Sequence, residues 1–171
     1  MGPAAVPSLV EACRDSEAHN RYFAAKGLMQ LGPRAGAAIP YLTEELRGTN
    51  VNGIVLAAQV LGHLGEEARV ALPRLTELLS HENARVRVRA AEAVWRLDGQ
   101  TKAVLPILLT VLREERIRTT AATQWAVQTL GEMWPAAQDA VPLLETMLLR
   151  QQTGLRKFAE EALSKIAGRP E

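Results

Sequence analysis

The chain has one cysteine, few aromatic residues, almost no net charge and no long apolar run, and each shortage removes a class of protein. Cys13 alone can form neither an intrachain disulfide nor a CxxC metal motif, which suits a reducing compartment; a cytoplasmic location is expected. Aromatics make up 4% of the 171 residues, and the β-branched and aromatic enrichment of a β-sandwich is missing. A net charge of +1 with 23% charged residues lacks the basic excess that marks tight nucleic-acid binding. No apolar run approaches the ~20 residues of a membrane span. The opening stretch MGPAAVPSLV has neither the basic-then-apolar order of a signal peptide nor the Ser/Thr of a myristoylation site.

What remains is 47% hydrophobic and dominated by alanine and leucine, a mixture that favours closely packed helices. It is also repetitive. LGPRAGAAIPYL, LGEEARVALPRL and LDGQTKAVLPIL align without gaps, with Pro40, Pro73 and Pro106 spaced 33 residues apart. The same step back from Pro40 lands on Pro7, and a step of 36 from Pro106 lands on Pro142. Five copies result, approximately 3–33, 34–66, 67–99, 100–135 and 136–169. A second block starts at Ala24, Ala57, Ala90, Ala126 and Ala159. It follows the proline by 17 residues except in the fourth copy, where three extra residues fall within REERIRTTAAT.

Each half-copy has helical spacing. Val6, Ile39, Leu72, Leu105 and Val141 precede Leu9, Leu42, Leu75, Leu108 and Leu144 by three residues. Cys13, Leu46, Leu79, Leu112 and Leu148 follow by four, completing an amphipathic stripe. In the second half the alanine column is followed four residues on by Leu28, Leu61, Val94, Leu130 and Leu163. Leu31, Leu64, Leu97, Met133 and Ile166 come three later. The alanines let helix backbones approach closely. RVRVR at 85–89 alternates like a strand, but its columns assign it to a helix. The proline sits near the start of each first helix, where its missing N–H costs little. HLGEEARVALP, at 63–73, is therefore a joint: a helix end at Leu64, a glycine cap at Gly65, a polar turn and a new helix. The expected fold is all-α, ten helices in five antiparallel pairs whose stacking makes a continuous core.

These columns resemble the HEAT repeats, specifically the short bacterial HEAT-like repeats also found in phycobilin lyases, with the pattern P-x-L-x-x-L-L … V-R-x-x-A-A-x-A-L-G-x-I-G. The third copy, LPRLTELLSHENARVRVRAAEAVWRLD, lies close to it. The resemblance covers essentially the whole chain and implies a single α-solenoid, a right-handed superhelix spanning 1–171. The chain departs from the pattern at Ile54 and Thr123, which replace the arginine kept as Arg21, Arg87 and Arg156. It departs again at Met29, Trp95 and Ser164, which replace the glycine kept as Gly62 and Gly131. An inter-repeat ladder built on that arginine would be interrupted.

The resemblance also implies that the second helices line a concave groove. Carried over by position, the groove residues are Tyr22, Phe23 and Lys26; Val55, Leu56, Gln59 and His63; Arg89, Glu92 and Arg96; Trp125 and Gln128; Phe158 and Glu161. Gln30, Glu132, Lys157 and Lys165 extend the set. At 100° per residue, Arg89, Glu92 and Arg96 lie opposite the core-facing Ala90, Val94 and Leu97. The column Phe23, Leu56, Arg89, Trp125, Phe158 is mostly large and apolar, and a row of exposed apolar groups marks a binding surface. The competing reading places these side chains in the seams between repeats.

Chemical readings fare worse. His81–Glu82 is a lone His–Glu dipeptide, so no metal is implied. Cys13 falls in the leucine stripe and reads as an apolar filler, not a nucleophile. No Ser–His–acid set and no cofactor motif is present, and a bilin-lyase role rests on analogy alone. Trp95 and Trp134 read as packing residues. The expectation is a non-enzymatic scaffold binding a protein or peptide segment, with a nucleic-acid-binding or DNA-glycosylase-like role as the alternative. Glu160 stands where earlier copies have Ala25, Ala58, Ala91 and Val127, as an end cap would. MGPAAVP carries no such polar cap, consistent with a longer chain or with a partner packed there.

Overall fold

The computed structural model describes residues 2–114, 120–133, 135–149 and 153–166. Among these residues there are ten α-helices and no strand. Three pairs make up the first half: α1 (Val6–Ala12) with α2 (Ala18–Leu31), α3 (Ile39–Glu45) with α4 (Val51–Leu61), and α5 (Leu72–Leu78) with α6 (Ala84–Asp98). Two follow: α7 (Thr101–Glu114) with α8 (Ala121–Glu132), and α9 (Val141–Leu149) with α10 (Thr153–Ile166). The alternating RVRVR stretch is helical, inside α6. Helices group into two compact units, Met1–Gly99 and Gln100–Glu171, divided at the boundary between the third and fourth copies.

Within the first unit the second helices stack side by side, α2 on α4 and α4 on α6; within the second, α10 stacks on α8. The columns explain the packing. Leu42, Leu75 and Leu144 are fully buried, as are Ala57, Ala90, Ala126 and Ala159. Each buried leucine contributes about 1.5–3 kcal/mol relative to an exposed one. Glycine sets the closest approaches. A Cβ on Gly62 would stand 3.0 Å from the Ala93 Cα, and one on Gly131 would stand 3.0 Å from the Ala162 Cα.

The joints differ from expectation in two ways. The last turn of α4 tightens, with His63 and Leu64 donating to the carbonyls three residues back, so the α-helix ends at Leu61. Gly65 does take the left-handed region, at φ 82°, as Gly32 and Gly99 do. The segments Gly32–Ala38 and Glu66–Ala71 are 3-10 helices leading into α3 and α5, and the second of them includes the expected polar turn at Glu66 and Glu67. They place Pro40 and Pro73 at the second position of the helix, where no N–H is needed. The fourth copy is the exception: α7 runs unbroken from Thr101, with Pro106 inside it.

Helix ends are satisfied by side chains. Asn50 accepts hydrogen bonds from the Asn52 and Gly53 amides, and Asn83 accepts from that of Arg85. Thr120 and Thr123 form a reciprocal capping box at α8. Arginines cover the other ends. Arg74 Nε donates to the Leu46 carbonyl at 3.0 Å and Arg69 Nε to that of Leu97 at 2.9 Å. Two of the repeat arginines brace their own turns. Arg21 donates to the carbonyls of Asp15 and Ser16, and Arg87 to those of His81 and Glu82, each bracing the turn inside its own repeat. Where Thr123 replaces it, the capping box holds the turn; Ile54 is simply buried. His81 is structural too, its Nδ1 accepting the Asn83 amide. Glu115, Arg116, Arg118 and Trp134 lie outside the described residues.

Candidate interaction surface

The expected groove residues do not form one uniform open surface. In the first unit, α2 presents Tyr22 and Phe23, 57% and 51% exposed, with Lys26 and Gln30 also exposed. The Phe23 ring packs edge-on against His19 at 4.5 Å and Tyr22 at 5.3 Å, an aromatic cluster open to solvent. On α4, Leu56 and Gln59 are half-buried. His63, also half-buried, donates from Nδ1 to the Gln59 carbonyl at 2.9 Å, satisfying an acceptor in the helix's last turn.

Three expectations need correcting. Val55, Arg89 and Glu92 were placed on open groove surface, but the structure buries them at 6%, 8% and 6% exposure. Val55 joins Ile54 in the core between repeats. On α6 the Glu92 carboxylate accepts one hydrogen bond from Arg89, three residues earlier, and one from Arg96, four later, at 3.1 Å. Helical spacing puts all three on one face, and the pairing offsets the cost of burying Arg89 and Glu92. The Arg96 guanidinium also lies 5.8 Å from the Trp95 ring centroid, and its stem covers Gly62. Sequence reasoning located this face but not its filling. The Arg–x-x-Glu–x-x-x-Arg spacing was the available signal.

In the second unit five expected positions do come together. Gln128, Glu132, Phe158, Glu161 and Lys165 line a depression of about 240 Å³ between α8 and α10, floored by Gly131 and Ala162. The glycine–alanine contact lets the helices approach closely enough that the flanking side chains share one recess. Phe158 is half-buried at its edge, while Gln128, Glu132, Glu161 and Lys165 are exposed. Glu161 pairs with Lys157 at 3.8 Å across one helical turn. Trp125 is half-buried, its carbonyl accepting from the Thr129 hydroxyl. The recess thus offers an amide, carboxylates, an ammonium group and one aromatic edge.

Among the described residues no group of three or more His, Cys, Asp or Glu is arranged to hold a metal. No described helix is long and apolar enough to cross a membrane. The one cysteine, Cys13, is 5% exposed, as expected of an apolar filler.

Stacked antiparallel helix pairs, with glycine–alanine contacts at two of the seams, define an α-solenoid repeat protein. A family profile for HEAT repeats matches residues 39–125, just over half the chain, and the chain belongs to that family. Solved structures share the fold. One is the complex of CpcE and CpcF of phycocyanin lyase from Nostoc sp. PCC7120, at 23% identity and TM-score 0.62, covering 99% of this chain and 66% of that one. Two engineered proteins from the Northeast Structural Genomics Consortium match at 23% and 24% identity, both with TM-score 0.51. They cover 95% of this chain and 79% and 81% of theirs. No curated protein matches.

Proposed function

We propose that the chain is a non-enzymatic interaction module that holds an extended segment of a protein partner against the faces of its second helices. The observation that carries this reading is the recess between α8 and α10, where Gln128, Glu132, Phe158, Glu161 and Lys165 converge. A side-chain amide both donates and accepts, so Gln128 can hydrogen-bond a peptide backbone while the Phe158 ring takes an apolar side chain. The acids and Lys165 set the charge pattern of the segment that fits.

The nucleic-acid alternative loses support at Arg89 and Arg96. A basic track along the second helices would draw on both, yet both donate to Glu92, and Arg89 is buried. Phosphate affinity depends on cations that can reach the backbone and release its counterions. A photo-crosslinking residue tests the surface. Placed at Gln128 it is expected to capture the partner; placed at Glu145, exposed on the first helix of the next pair, it is not. Equal capture at both positions would place the contact elsewhere.

A further inference from the structure

The first repeat carries, position by position, the face by which later repeats receive the one before. At the α4–α6 seam, Gly62 meets Ala93; at the α8–α10 seam, Gly131 meets Ala162. Ala93 and Ala162 align with Gly27 on α2. Val86 and Leu155, 0% and 1% exposed, align with Asn20. Leu75 and Leu144, both fully buried, align with Leu9. On the first repeat these columns stand open. Leu9, Asn20, Phe23 and Gly27 line a depression of about 670 Å³ at the end of the stack. Phe23 is 51% exposed there, whereas the aligned Phe158 is half-buried beside α8.

We propose that this end of the first repeat is a docking face for the donating side of a further HEAT-type helical hairpin, which continues the stack. The α4–α6 and α8–α10 seams, the two closed by glycine on alanine, define what such a hairpin offers. Its second helix carries a small or slender residue, then a leucine three positions on and a glycine next to it, as in Ala58–Leu61–Gly62 and Val127–Leu130–Gly131. A second copy of this chain does not offer that face. Its fifth repeat holds Glu160, exposed and paired with Arg156 at 2.8 Å, where the donating repeats have Ala25, Ala58 or Val127. Seating that pair on Leu9 and Phe23 would strip both charges of water without improving their pairing.

The test extends the whole chain by one repeat. A copy of residues 34–66 placed directly before Met1 keeps the 33-residue period and presents a known donating face. Amide exchange in α1 and α2 is expected to slow about tenfold or more, and the melting temperature to rise by several degrees. Changing the glycine that copies Gly62 to leucine is expected to cancel both effects. Unchanged exchange in α2 beneath a helical extension would overturn the proposal. Should the extension not fold, the double variant Arg156→Ile/Glu160→Ala decides instead. It gives the fifth repeat a donating face, so the chain is expected to form head-to-tail oligomers in sedimentation, and Phe23→Glu is expected to dissolve them. A strictly monomeric double variant would overturn the proposal, as would a dimer of the unaltered chain that Phe23→Glu abolishes. Neither readout involves the α8–α10 recess, so failure here leaves the binding proposal standing.

Discussion

Cys13 occupies the apolar stripe of α1, and burial, reinforced by the nearby charge of Glu45, pushes its thiol up from 9.0 to about 11. A buried, protonated thiol is a poor nucleophile. Alkylation of the folded chain at pH 8 is expected to run about tenfold slower than for free cysteine or more; an equal rate would contradict the burial. The sign of the pH effect follows from linkage. The folded state holds the thiol proton more tightly than the unfolded state, so this contribution to stability is whole below pH 9. It is lost as pH rises towards about 11; burial also raises the Tyr41 phenol, so denaturant titrations across that window should show a steeper decline in wild type than in Cys13→Ala. The repeat arginine makes a second residue-scale case. Arg87 is half-buried and donates to two carbonyls of its turn, so Arg87→Met is expected to cost about 1–3 kcal/mol in urea unfolding. Arg156 stands at the same repeat position but is exposed and pairs along its own helix with Glu160; Arg156→Met should leave the melting temperature unchanged.

At the scale of helices, two glycines within the α4 hairpin separate propensity from packing. A Cβ at Gly53 would come within 2.6 Å of the Glu45 carboxylate, the far end of a flexible side chain that can swing aside. Gly53→Ala should therefore stabilise α4 by up to about 1 kcal/mol through helix propensity. A Cβ at Gly62 meets the Ala93 backbone, which cannot move without shifting α6. Gly62→Val is expected to cost about 1–3 kcal/mol in thermal or urea unfolding, and a neutral result would mean the seam is looser than its geometry. The same contrast explains what could be read from sequence. Column spacing specified the helix pairs and their inward faces because burial imposes a 3.6-residue period. It did not reveal the 3-10 lead-ins at 32–38 and 66–71, whose alanines occupy core positions in either helix type. Nor did it reveal that Arg89 and Glu92 are buried: a helical wheel gives a direction, not what fills the space in that direction. The column running from Phe23 to Phe158 is uniformly neither open surface nor filled seam: its members range from exposed Phe23 to buried Arg89.

For the molecule as a whole, fold and charge point the same way. HEAT repeats bury their apolar columns against each other, and the proposed binding role uses the outer faces of the second helices. A net charge of +1, with two candidate cations committed to Glu92, leaves little to hold a phosphate backbone. Titration with duplex DNA at low salt is expected to show no binding, whereas micromolar affinity falling steeply with added salt would restore the nucleic-acid reading. The measurement that bears hardest on the binding role is calorimetric titration of the crosslinked partner segment into wild type, Phe158→Ser and Gln128→Ala, each paired with its melting curve. Loss of the aromatic edge or the amide should weaken binding by about tenfold or more, about 1.4 kcal/mol, with the melting temperature nearly unmoved. Undiminished affinity in both variants would contradict the assignment of the α8–α10 recess as the place where the partner is held.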